Sequence, residues 1–584
     1  MRHDLFVQSS RKSKSTKFIR RCVALALLLV FMGTTAGLAA PTPAEVEEQR
    51  RRVQQEEQSR RARQEAEERQ QREQKKDVFL QKKTESSKDI SLPEETPSFV
   101  IAKLVLEGER VEHFPWVQAI LDKYTGRKIG MQGINLIVKR LTNELIDRGY
   151  VTTRVLVPQQ DLSKGTLRLL LVPGIIHDIR FQEPKTWGSW QSAFPARPGD
   201  ILNLRSLEQG LEQMKRVPSQ DADMQLIPGK QAGESDVVIA VKRDKPWRAV
   251  LSLDDSGSKP TGKLQSSQTF SVDNLFSIND LFNISFNSDA ERDGQRLGTR
   301  GNSIYYSFPY GDSTFTFSSS HYRYHQTIET ITQPFRSSGE SDSLEFRVSQ
   351  LLRRDQTRKT FLEFSLIKKK SKSFIEDTEI EVQRKNTTAA KLGLSHRQYF
   401  GEATFDIQLA YQKGVPWMGA QADPADQSPE NPTTRYKMWL LDASLTTPVN
   451  FGGTKARYSA SLRAQYTDSL IYGTEYFSIG NRYTVRGFDG EETLSASRGW
   501  FLRNELGFSL AKAGCEAYVG LDYGQVTGPG SEAYTGRILM GSVVGLRGGN
   551  KTLQYDAFVG WPLRKPEGFK TATPTFGFQV IYQL

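Results

Sequence analysis

The stretch ATFDIQLAYQ, residues 403–412, carries the pattern that defines the larger part of this chain. Its side chains alternate along a strand, so that Phe405 and Leu409 lie on one face and Asp406 and Gln408 on the other. Residues 457–466, RYSASLRAQY, repeat the alternation. One face is apolar enough to contact lipid, and the other is polar enough to line a water-filled lumen. A soluble β-sandwich alternates in the same way, so a single strand does not separate the two folds.

Alternating strands recur over residues 245–584, which leaves 340 residues for one β domain. Residues 304–308 and 315–317 flank the short polar turn 309–312, as in a hairpin. No apolar run after residue 40 approaches the roughly 20 residues that a helical membrane span needs. Together with an export signal at the amino terminus, this recurrence favours a membrane β-barrel over a sandwich.

The amino terminus has the order of a secretory signal peptide, predicted over residues 1–39. Residues 1–21 contain seven basic side chains and one acidic one, so they hold half of the net charge of +12. An apolar run, residues 22–32, and small residues including Gly37 and Ala39 follow. Because so much of the basic excess lies in a signal, the charge does not indicate nucleic-acid binding. Loss of Cys22 with the signal leaves Cys515 without an intrachain disulfide partner.

Residues 40–77 predict a helix that is polar on every face, since strong helix formers of both charges fill the segment EVEEQRRRVQQEEQSRRARQEAEERQQREQ. Such a helix is either solvated or docked in a wet polar cavity. Residues 78–97 are rich in Ser, Thr and Pro and predict a flexible or extended linker.

Two small α+β units are predicted next, over residues 98–174 and 175–244. Each has the order strand, helix, helix, strand, strand. In the first unit the predicted elements are residues 99–106, 115–124, 131–148, 151–158 and 166–172. In the second they are residues 175–181, a short helix near 187–193, and residues 204–215, 224–228 and 237–242.

The stretch LNLRSLEQGLEQMKRVPSQDADMQLIPG, residues 202–229, closely resembles the second POTRA domain of two-partner secretion transporters, the TpsB family. The resemblance implies a mainly β protein: a 16-stranded transmembrane antiparallel β-barrel preceded by two α+β POTRA domains and an N-terminal helix. It places the barrel in the outer membrane of a Gram-negative bacterium and the POTRA domains in the periplasm. It also implies that the polar helix plugs the barrel and leaves during transport.

A loop motif of the wider BamA and TpsB superfamily, VRGF, matches Val485, Arg486, Gly487 and Phe488. It lies in the polar, Gly-rich segment 467–498, which is long enough to fold back into a lumen. Gly487 allows a tight turn beside the arginine. The plain alternative is an arginine in an ordinary surface loop.

The partner of Arg486 is predicted from strand parity. In residues 516–523, Val519 and Leu521 belong to the apolar face, so Asp522 must face the lumen. The segment GLDYG, with Gly520 and Gly524, resembles the family motif whose aspartate pairs with the loop arginine. An arginine fork fits a carboxylate through two parallel hydrogen bonds, which lysine does not reproduce.

The resemblance implies that the POTRA domains receive the N-terminal secretion domain of a large exoprotein of the TpsA type. In a POTRA sheet the first and last strands pair, which leaves the middle strand at an edge open to β-augmentation. The predicted binding residues on these edges are Val151, Thr153, Val155, Val157, Met224 and Leu226.

The carboxy terminus alternates as a last barrel strand and resembles the signal that barrel assembly machinery recognises. Its predicted signal residues are Phe576, Phe578, Tyr582 and Leu584. The family usually ends in an aromatic residue, so Leu584 departs from the pattern.

The sequence indicates no enzyme. It contains no GxxxxGK[ST], HExxH, CxxC or GxSxG motif, so neither a catalytic residue, a metal site nor a cofactor is predicted. His321 and His325 are interpreted as a surface pair. Two other functions remain open: a barrel assembly factor of the BamA type, and a passive channel or adhesin. The exported partner also remains open among haemolysin, adhesin and contact-dependent inhibition toxin.

Overall fold

The computed structural model describes residues 43–73, 77–80, 91–184, 186–291, 293–329, 333–451, 453–510, 514–532 and 534–584. The predicted signal peptide and the middle of the predicted linker lie outside the described residues. The chain comprises two units, residues 1–51 and residues 52–584. The described part of the first unit is the start of a helix, α1, which spans Pro43–Glu73.

Helix α1 is 31 residues long and has almost no apolar side chains. Arg, Glu and Gln fill all of its faces, and i,i+4 pairs such as Arg61 with Glu65 (Nε to Oε1, 2.8 Å) support it locally. In the part of the chain that the structure describes, no helix combines the length and the apolarity that a membrane span requires.

The first α+β unit contains two small sheets and two helices. Its strands are β1 Ser98–Ile101, β2 Lys103–Gly108, β3 Arg127–Gly130, β4 Arg154–Leu156 and β5 Thr166–Val172, and its helices are α2 Pro115–Leu121 and α3 Met131–Asp147. Strand β1 pairs with β3, and the other sheet has the order β2-β5-β4. Helix α3 buries Ile134, Ile137, Leu141 and Leu145, spaced three and four residues apart, against this sheet.

Glu95 caps helix α3 from the end of the linker. Its carboxylate accepts backbone N–H bonds from Gly130 at 3.0 Å and from Gln132 and Gly133 at 2.7 Å. These N–H groups belong to the helix end, where they have no intrahelical acceptor. Desolvation alone would raise the pKa of Glu95, but the three donors outweigh it and hold the pKa below its usual value.

The second α+β unit contains β6 Ile175–Phe181, α4 Leu204–Lys215, β7 Gln220–Pro228 and β8 Glu234–Arg243. Its sheet order is β6-β8-β7, with β6 parallel to β8 and β7 at an edge. The short helix predicted near residues 187–193 is wrong. That stretch consists of turns, because Gly188 has φ +122° and Pro195 follows closely.

The predicted edge strand 151–158 is also wrong in its extent, since β4 covers only Arg154–Leu156. Val151 instead packs against the core of the second unit. Thr153 is fully buried, and its Oγ1 accepts a hydrogen bond from the Gly174 amide at 3.1 Å. The junction between the units therefore uses residues that the alternation assigned to a free edge.

The rest of the chain forms a closed antiparallel barrel of sixteen strands, as predicted. The strands are β9 Trp247–Asp254, β10 Gln265–Asp273, β11 Leu281–Asp289, β12 Leu297–Tyr310, β13 Ser313–Ile328, β14 Phe335–Arg354, β15 Arg358–Ile375, β17 Lys385–Phe400, β18 Ala403–Gly414, β19 Lys437–Phe451, β20 Thr454–Tyr466, β23 Arg498–Leu510, β24 Cys515–Thr527, β25 Ile538–Gly549, β26 Leu553–Arg564 and β27 Thr575–Gln583. Strand β27 pairs with β9 and closes the barrel. Three short strands, β16 Thr378–Glu379, β21 Phe477–Ile479 and β22 Leu494–Ala496, lie in its connections.

The two ends of the barrel differ in their connections. At one end the turns are short, and the Gly311 amide in one of them donates to the Ser192 carbonyl of the second α+β unit at 2.9 Å. At the other end the connections are longer, as at residues 415–436 and 467–497. Outward residues such as Phe317 and Phe346, paired in register, are exposed apolar side chains. This outer face suits lipid.

Candidate functional site

The long connection between β20 and β23 folds into the barrel lumen. Within it β21 and β22 pair antiparallel. Val485 and Phe488 of the VRGF motif are buried in one apolar cluster with residues of β21, β22 and the barrel wall. The loop is thus anchored by its own apolar side chains, and the tip presents Arg486 to the wall.

Arg486 lies against Asp522 of β24. Its Nε and Nη2 donate to Asp522 Oδ2 at 2.8 Å and to Oδ1 at 2.9 Å, and its backbone N–H donates to Oδ2 at 2.9 Å. Both side chains are buried, with Asp522 fully so. This is the bidentate geometry in which an arginine matches a carboxylate best.

A second carboxylate, Glu505 of β23, completes the arrangement and was not predicted. Arg486 Nη1 donates to Glu505 Oε2 at 2.6 Å, and Arg547 Nη2 donates to Oε1 at 2.6 Å. The inward parity of β23 could have indicated Glu505, because its outward neighbours Leu502 and Leu506 are apolar. One loop arginine is therefore held by two acidic groups from adjacent strands.

Glycines of the wall make room for the loop tip. A Cβ at Gly520 would lie 2.5 Å from Arg486 Nη2, and one at Gly524 would lie 2.7 Å from Val485 Cγ2. Two further glycines were not predicted. A Cβ at Gly541 would lie 1.9 Å from the Arg486 carbonyl oxygen, and one at Gly560 would lie 2.8 Å from the Cα of Gly487. Gly487 itself has φ +97°, which favours glycine.

The lumen also holds part of α1, residues 52–67, which we call the luminal segment. Glu56 accepts a hydrogen bond from the Tyr322 hydroxyl of β13 at 2.6 Å. Arg63 Nη2 donates to Asp254 of β9 at 3.2 Å, and Glu65 pairs with Arg463 of β20 at 2.6 Å. These contacts reach different sides of the wall, so the segment crosses the interior.

The luminal segment also contacts the loop that carries Arg486. Gln58 Nε2 donates to the Gly473 carbonyl at 2.9 Å, and its Oε1 accepts from the Ser495 hydroxyl at 2.6 Å. Gln55 Nε2 donates to the Glu491 carbonyl at 2.5 Å. The helix and the loop are therefore joined by polar groups that water could replace.

After the helix, Asp77 enters a cluster at the short-turn end of the barrel that we call the linker node: Asp77, Glu212, Arg354, Lys359, Arg397 and Tyr399. Asp77 accepts from Lys359 Nζ at 2.5 Å, from Arg397 at 2.8 Å and from the Tyr399 hydroxyl. Glu212 of α4 pairs with the same Lys359 and with Arg354 at 2.8 Å. The buried Lys359 of the barrel thus contacts both the linker, through Asp77, and helix α4, through Glu212.

The predicted edge residues are distributed unevenly. Strand β7 carries Met224 and Leu226, which pack inward, while Gln225 and Ile227 are exposed. In β4, Val155 is buried. Val157 is exposed but follows the strand. The second α+β unit thus offers the longer open edge.

The last barrel strand, β27, ends beside the first barrel strand, β9. Phe576, Tyr582 and Leu584 point outward and are exposed, whereas Phe578 is half-buried. The Leu584 amide donates to the Ala249 carbonyl of β9 at 2.9 Å. His321 and His325 lie on β13, where His321 Nδ1 contacts Asp342 Oδ1 at 2.8 Å. Within the described ranges, no group of three or more His, Cys, Asp or Glu side chains could hold a metal ion.

Comparisons with known proteins agree with this architecture. A family model for the haemolysin secretion/activation protein ShlB/FhaC/HecB matches residues 233–548, a ShlB-type POTRA model matches 99–174, and another POTRA model matches 175–228. Outer membrane transporter CdiB-2 of Burkholderia pseudomallei (strain 1026b) is 43% identical over 511 residues, 84% of this chain and 87% of the relative. CdiB of Dickeya dadantii (strain 3937) is 32% identical over 474 residues, 79% of this chain and 82% of the relative.

A solved structure, CdiB from Acinetobacter baumannii, superposes with a TM-score of 0.80 at 29% identity and covers 90% of this chain and 98% of its own. Fold and comparisons together define an outer-membrane β-barrel transporter with periplasmic POTRA domains. The chain belongs to the ShlB/FhaC/HecB family. It is a two-partner secretion transporter, with its barrel in the outer membrane and its short-turn end facing the periplasm.

Proposed function

We propose that this transporter binds the N-terminal secretion domain of a large unfolded exoprotein in the periplasm and threads that chain to the cell surface without nucleotide. Two relatives named CdiB are 43% and 32% identical, and a haemolysin transporter, ShlB of Serratia marcescens, is 27% identical. We therefore propose a contact-dependent inhibition protein as the partner, ahead of a haemolysin or an adhesin.

The observation that carries the proposal is the occupied lumen. The luminal segment and the Arg486 loop both cross the path that a polypeptide would take. The luminal segment contacts the loop and the wall through polar groups, and such contacts exchange with water at little net cost. Passage of a chain would therefore begin with displacement of the helix, while Arg486 and Asp522 hold the loop in a defined position.

We propose β7 as the main receptor strand. It is nine residues long, and among the described strands it pairs only with β8. On its other edge the Ala222 and Met224 amides donate to the side chains of Asp221 and Asp223, which an incoming strand would replace by β-augmentation. Strand β4 has an edge of only three residues and would contribute less. Recognition through the backbone demands little of the partner's sequence, which suits a transporter of long chains.

Hydrogen exchange tests this receptor. With the full-length transporter in detergent, addition of the purified secretion domain should slow exchange of the β7 amides that do not pair with β8. The amides of β2, at the other edge of the first α+β sheet, serve as the internal control. Unchanged exchange of the β7 amides, with protection elsewhere in the α+β units, would refute β-augmentation at this strand.

For biogenesis we propose that the last strand, with Phe576, Tyr582 and Leu584 on its lipid face, is recognised by barrel assembly machinery. Substitution of Leu584 by Phe should leave the barrel level unchanged or raise it, as measured from outer-membrane fractions. A fall in the barrel level would argue that the terminal leucine is adapted to its own assembly.

A further inference from the structure

The outer wall of strands β12 to β15 carries a group of basic residues near the end with long connections. Strand register aligns two rows. One row contains Arg300, Arg323, Glu340 and Lys372, and the next contains Asn302, His321, Asp342 and Lys370. We call the four basic residues, Arg300, Arg323, Lys370 and Lys372, the basic strip. All four are exposed.

The side chains of the basic strip face the membrane side of the barrel. Outward parity is fixed by the apolar residues below them, since Phe317 pairs with Phe346 and Leu362 and Phe364 are exposed. Arg323 lies six residues after Phe317 on β13, and Lys370 lies six residues after Phe364 on β15. An even separation along a strand keeps side chains on one face.

The height of the strip matches the outer boundary of the membrane. Tyr310 marks the periplasmic turn of β12 and is exposed. Arg300 lies ten residues from it, which is roughly 33 Å along the strand and about 25 Å along the membrane normal at a tilt of about 40°. The apolar band of such barrels is about 25 Å tall, so Arg300 sits where lipid tails give way to headgroups.

The charges in the strip are only partly balanced by the protein, because four cations share two facing carboxylates: Glu340 stands opposite Arg323 and Lys372, and Asp342 stands opposite Lys370. Arg300 and Arg323 stand directly opposite each other, an arrangement that repels without an intervening anion. Among the described residues neither arginine forms an ion pair. The two carboxylates of the rows are Glu340 and Asp342, and Asp342 contacts His321. Lys372 Nζ lies 3.9 Å from Glu379, at the limit of an ion pair.

Elsewhere the same rim carries aromatic side chains. Tyr411 packs on Trp439 with ring centroids 5.0 Å apart, and Trp500 packs on Tyr523 at 5.2 Å. Trp and Tyr are the usual residues at a membrane interface. The two rows on β12 to β15 contain neither residue type. On this side of the barrel the interface is therefore built for anions rather than for aromatic anchoring.

We propose that the basic strip binds the phosphate groups of lipopolysaccharide, the phosphorylated glycolipid of the outer leaflet. The phosphates of its lipid A part lie at the headgroup boundary, where the strip is found. Arginine forks suit phosphate oxygens, and lysines add point charges. A bound phosphate between Arg300 and Arg323 removes their repulsion, and the exposed apolar residues below contact the acyl chains. The site fixes the β12 to β15 wall to the outer leaflet.

The test uses full-length protein in detergent and native mass spectrometry with bisphosphorylated lipid A. We expect lipid A to bind the wild type and to bind the double variants Arg300→Gln with Arg323→Gln, and Lys370→Gln with Lys372→Gln, about tenfold more weakly. The matched control is Lys455→Gln with Lys551→Gln, which removes two exposed lysines beside periplasmic turns and should bind as the wild type does.

Lipid A from which the phosphates have been removed, and phosphatidylglycerol, serve as competing probes on the wild type. Weak binding of both supports the proposal without any substitution, so the test stands even if a variant fails to fold. Equal binding of lipid A to the wild type and both strip variants would overturn it. Equal binding of dephosphorylated lipid A or of phosphatidylglycerol would overturn the assignment to lipopolysaccharide phosphate.

Discussion

Arg486 gathers two carboxylates that would otherwise repel each other inside the barrel. Its fork gives two donors and its backbone one to Asp522, and a further side-chain nitrogen serves Glu505. A lysine has one ammonium and does not reproduce this planar pattern. The loop tip is therefore specified by the shape of the guanidinium as well as by its charge.

The loop that carries Arg486 also depends on glycines in the barrel wall. Substitution of Gly541 tests this dependence. In Gly541→Ala the new Cβ would meet the Arg486 carbonyl oxygen at 1.9 Å, so the loop tip must shift. We expect this shift to cost about 1 to 3 kcal/mol of loop docking. Hydrogen exchange at the Arg486 amide, which donates to Asp522, should become about tenfold faster or more.

The matched control is Gly393→Ala on β17, where the nearest atom to the new Cβ is the Ala410 Cβ at an ordinary 3.4 Å. It should leave the Arg486 amide unchanged. If the two variants exchange alike, the loop tip does not rest against the wall at Gly541.

Strand alternation and local motifs predict some of the residues that hold the Arg486 loop but not all of them. Asp522 follows from alternation in its own strand together with the family motif. The same alternation argument, applied to β23, would have predicted that Glu505 faces the lumen. Gly541 and Gly560 were not, because each is required by a backbone atom of a loop more than 50 residues away, and no local pattern records that approach.

Among the elements, the luminal segment is held by ion pairs and hydrogen bonds rather than by an apolar face. Replacing Arg61 and Arg63 together by Ala removes contacts to Glu475, Gln465 and Asp254. We expect the segment to leave the lumen more often, so the open fraction of channels in planar bilayers should rise several-fold.

The exposed neighbour Gln64 offers a control, and Gln64→Ala should gate as the wild type does. Unchanged openings in the Arg61 and Arg63 double variant would mean that the luminal segment does not block conduction.

The linker node is the element that connects this helix to the second POTRA domain. Lys359→Ala leaves Asp77 and Glu212 without their shared cation in a buried place. Because Arg397 and Arg354 still pair with these carboxylates, we expect a cost of about 3 kcal/mol, the low end for a broken buried pair. The Val78 and Leu80 amides, which donate to Glu212 and Glu208, should then exchange about a hundredfold faster by hydrogen-exchange mass spectrometry.

Arg358→Ala is the control, since within the described ranges Arg358 pairs only with Asp355 of its own turn. It should leave both amides protected. Equal protection in Lys359→Ala would show that the chain after the helix is held by something other than the node.

Sequence periodicity located most elements and misjudged those set by contacts between domains. The helices α3 and α4 follow from their apolar spacing. The predicted edge strand 151–158 fails because Val151 and Thr153 are buried where the POTRA domains meet. The linker looks unstructured by composition, yet Val78 is buried and Glu95 caps a helix, because single side chains at its ends find specific partners.

For the molecule as a whole, two elements obstruct the barrel lumen: the luminal segment and the loop that carries Arg486. The fold class was predictable because alternation over 340 residues, a signal sequence and the POTRA resemblance each indicate an outer-membrane β-barrel. The route of the luminal segment was not predictable, since a helix polar on all faces has no stripe to fix its register. The proposed partner rests on the names of relatives rather than on any residue of this chain.

The role in secretion is tested by export of a candidate partner from cells carrying the wild type, Arg486→Ala, Asp468→Ala or no transporter. Asp468 forms an exposed pair with Arg498, so its loss should cost little. We predict that secretion requires the transporter, falls at least several-fold in Arg486→Ala at an equal barrel level, and is unchanged in Asp468→Ala. Export without the transporter, while other outer-membrane proteins fail to assemble, would contradict the secretion role and favour barrel assembly.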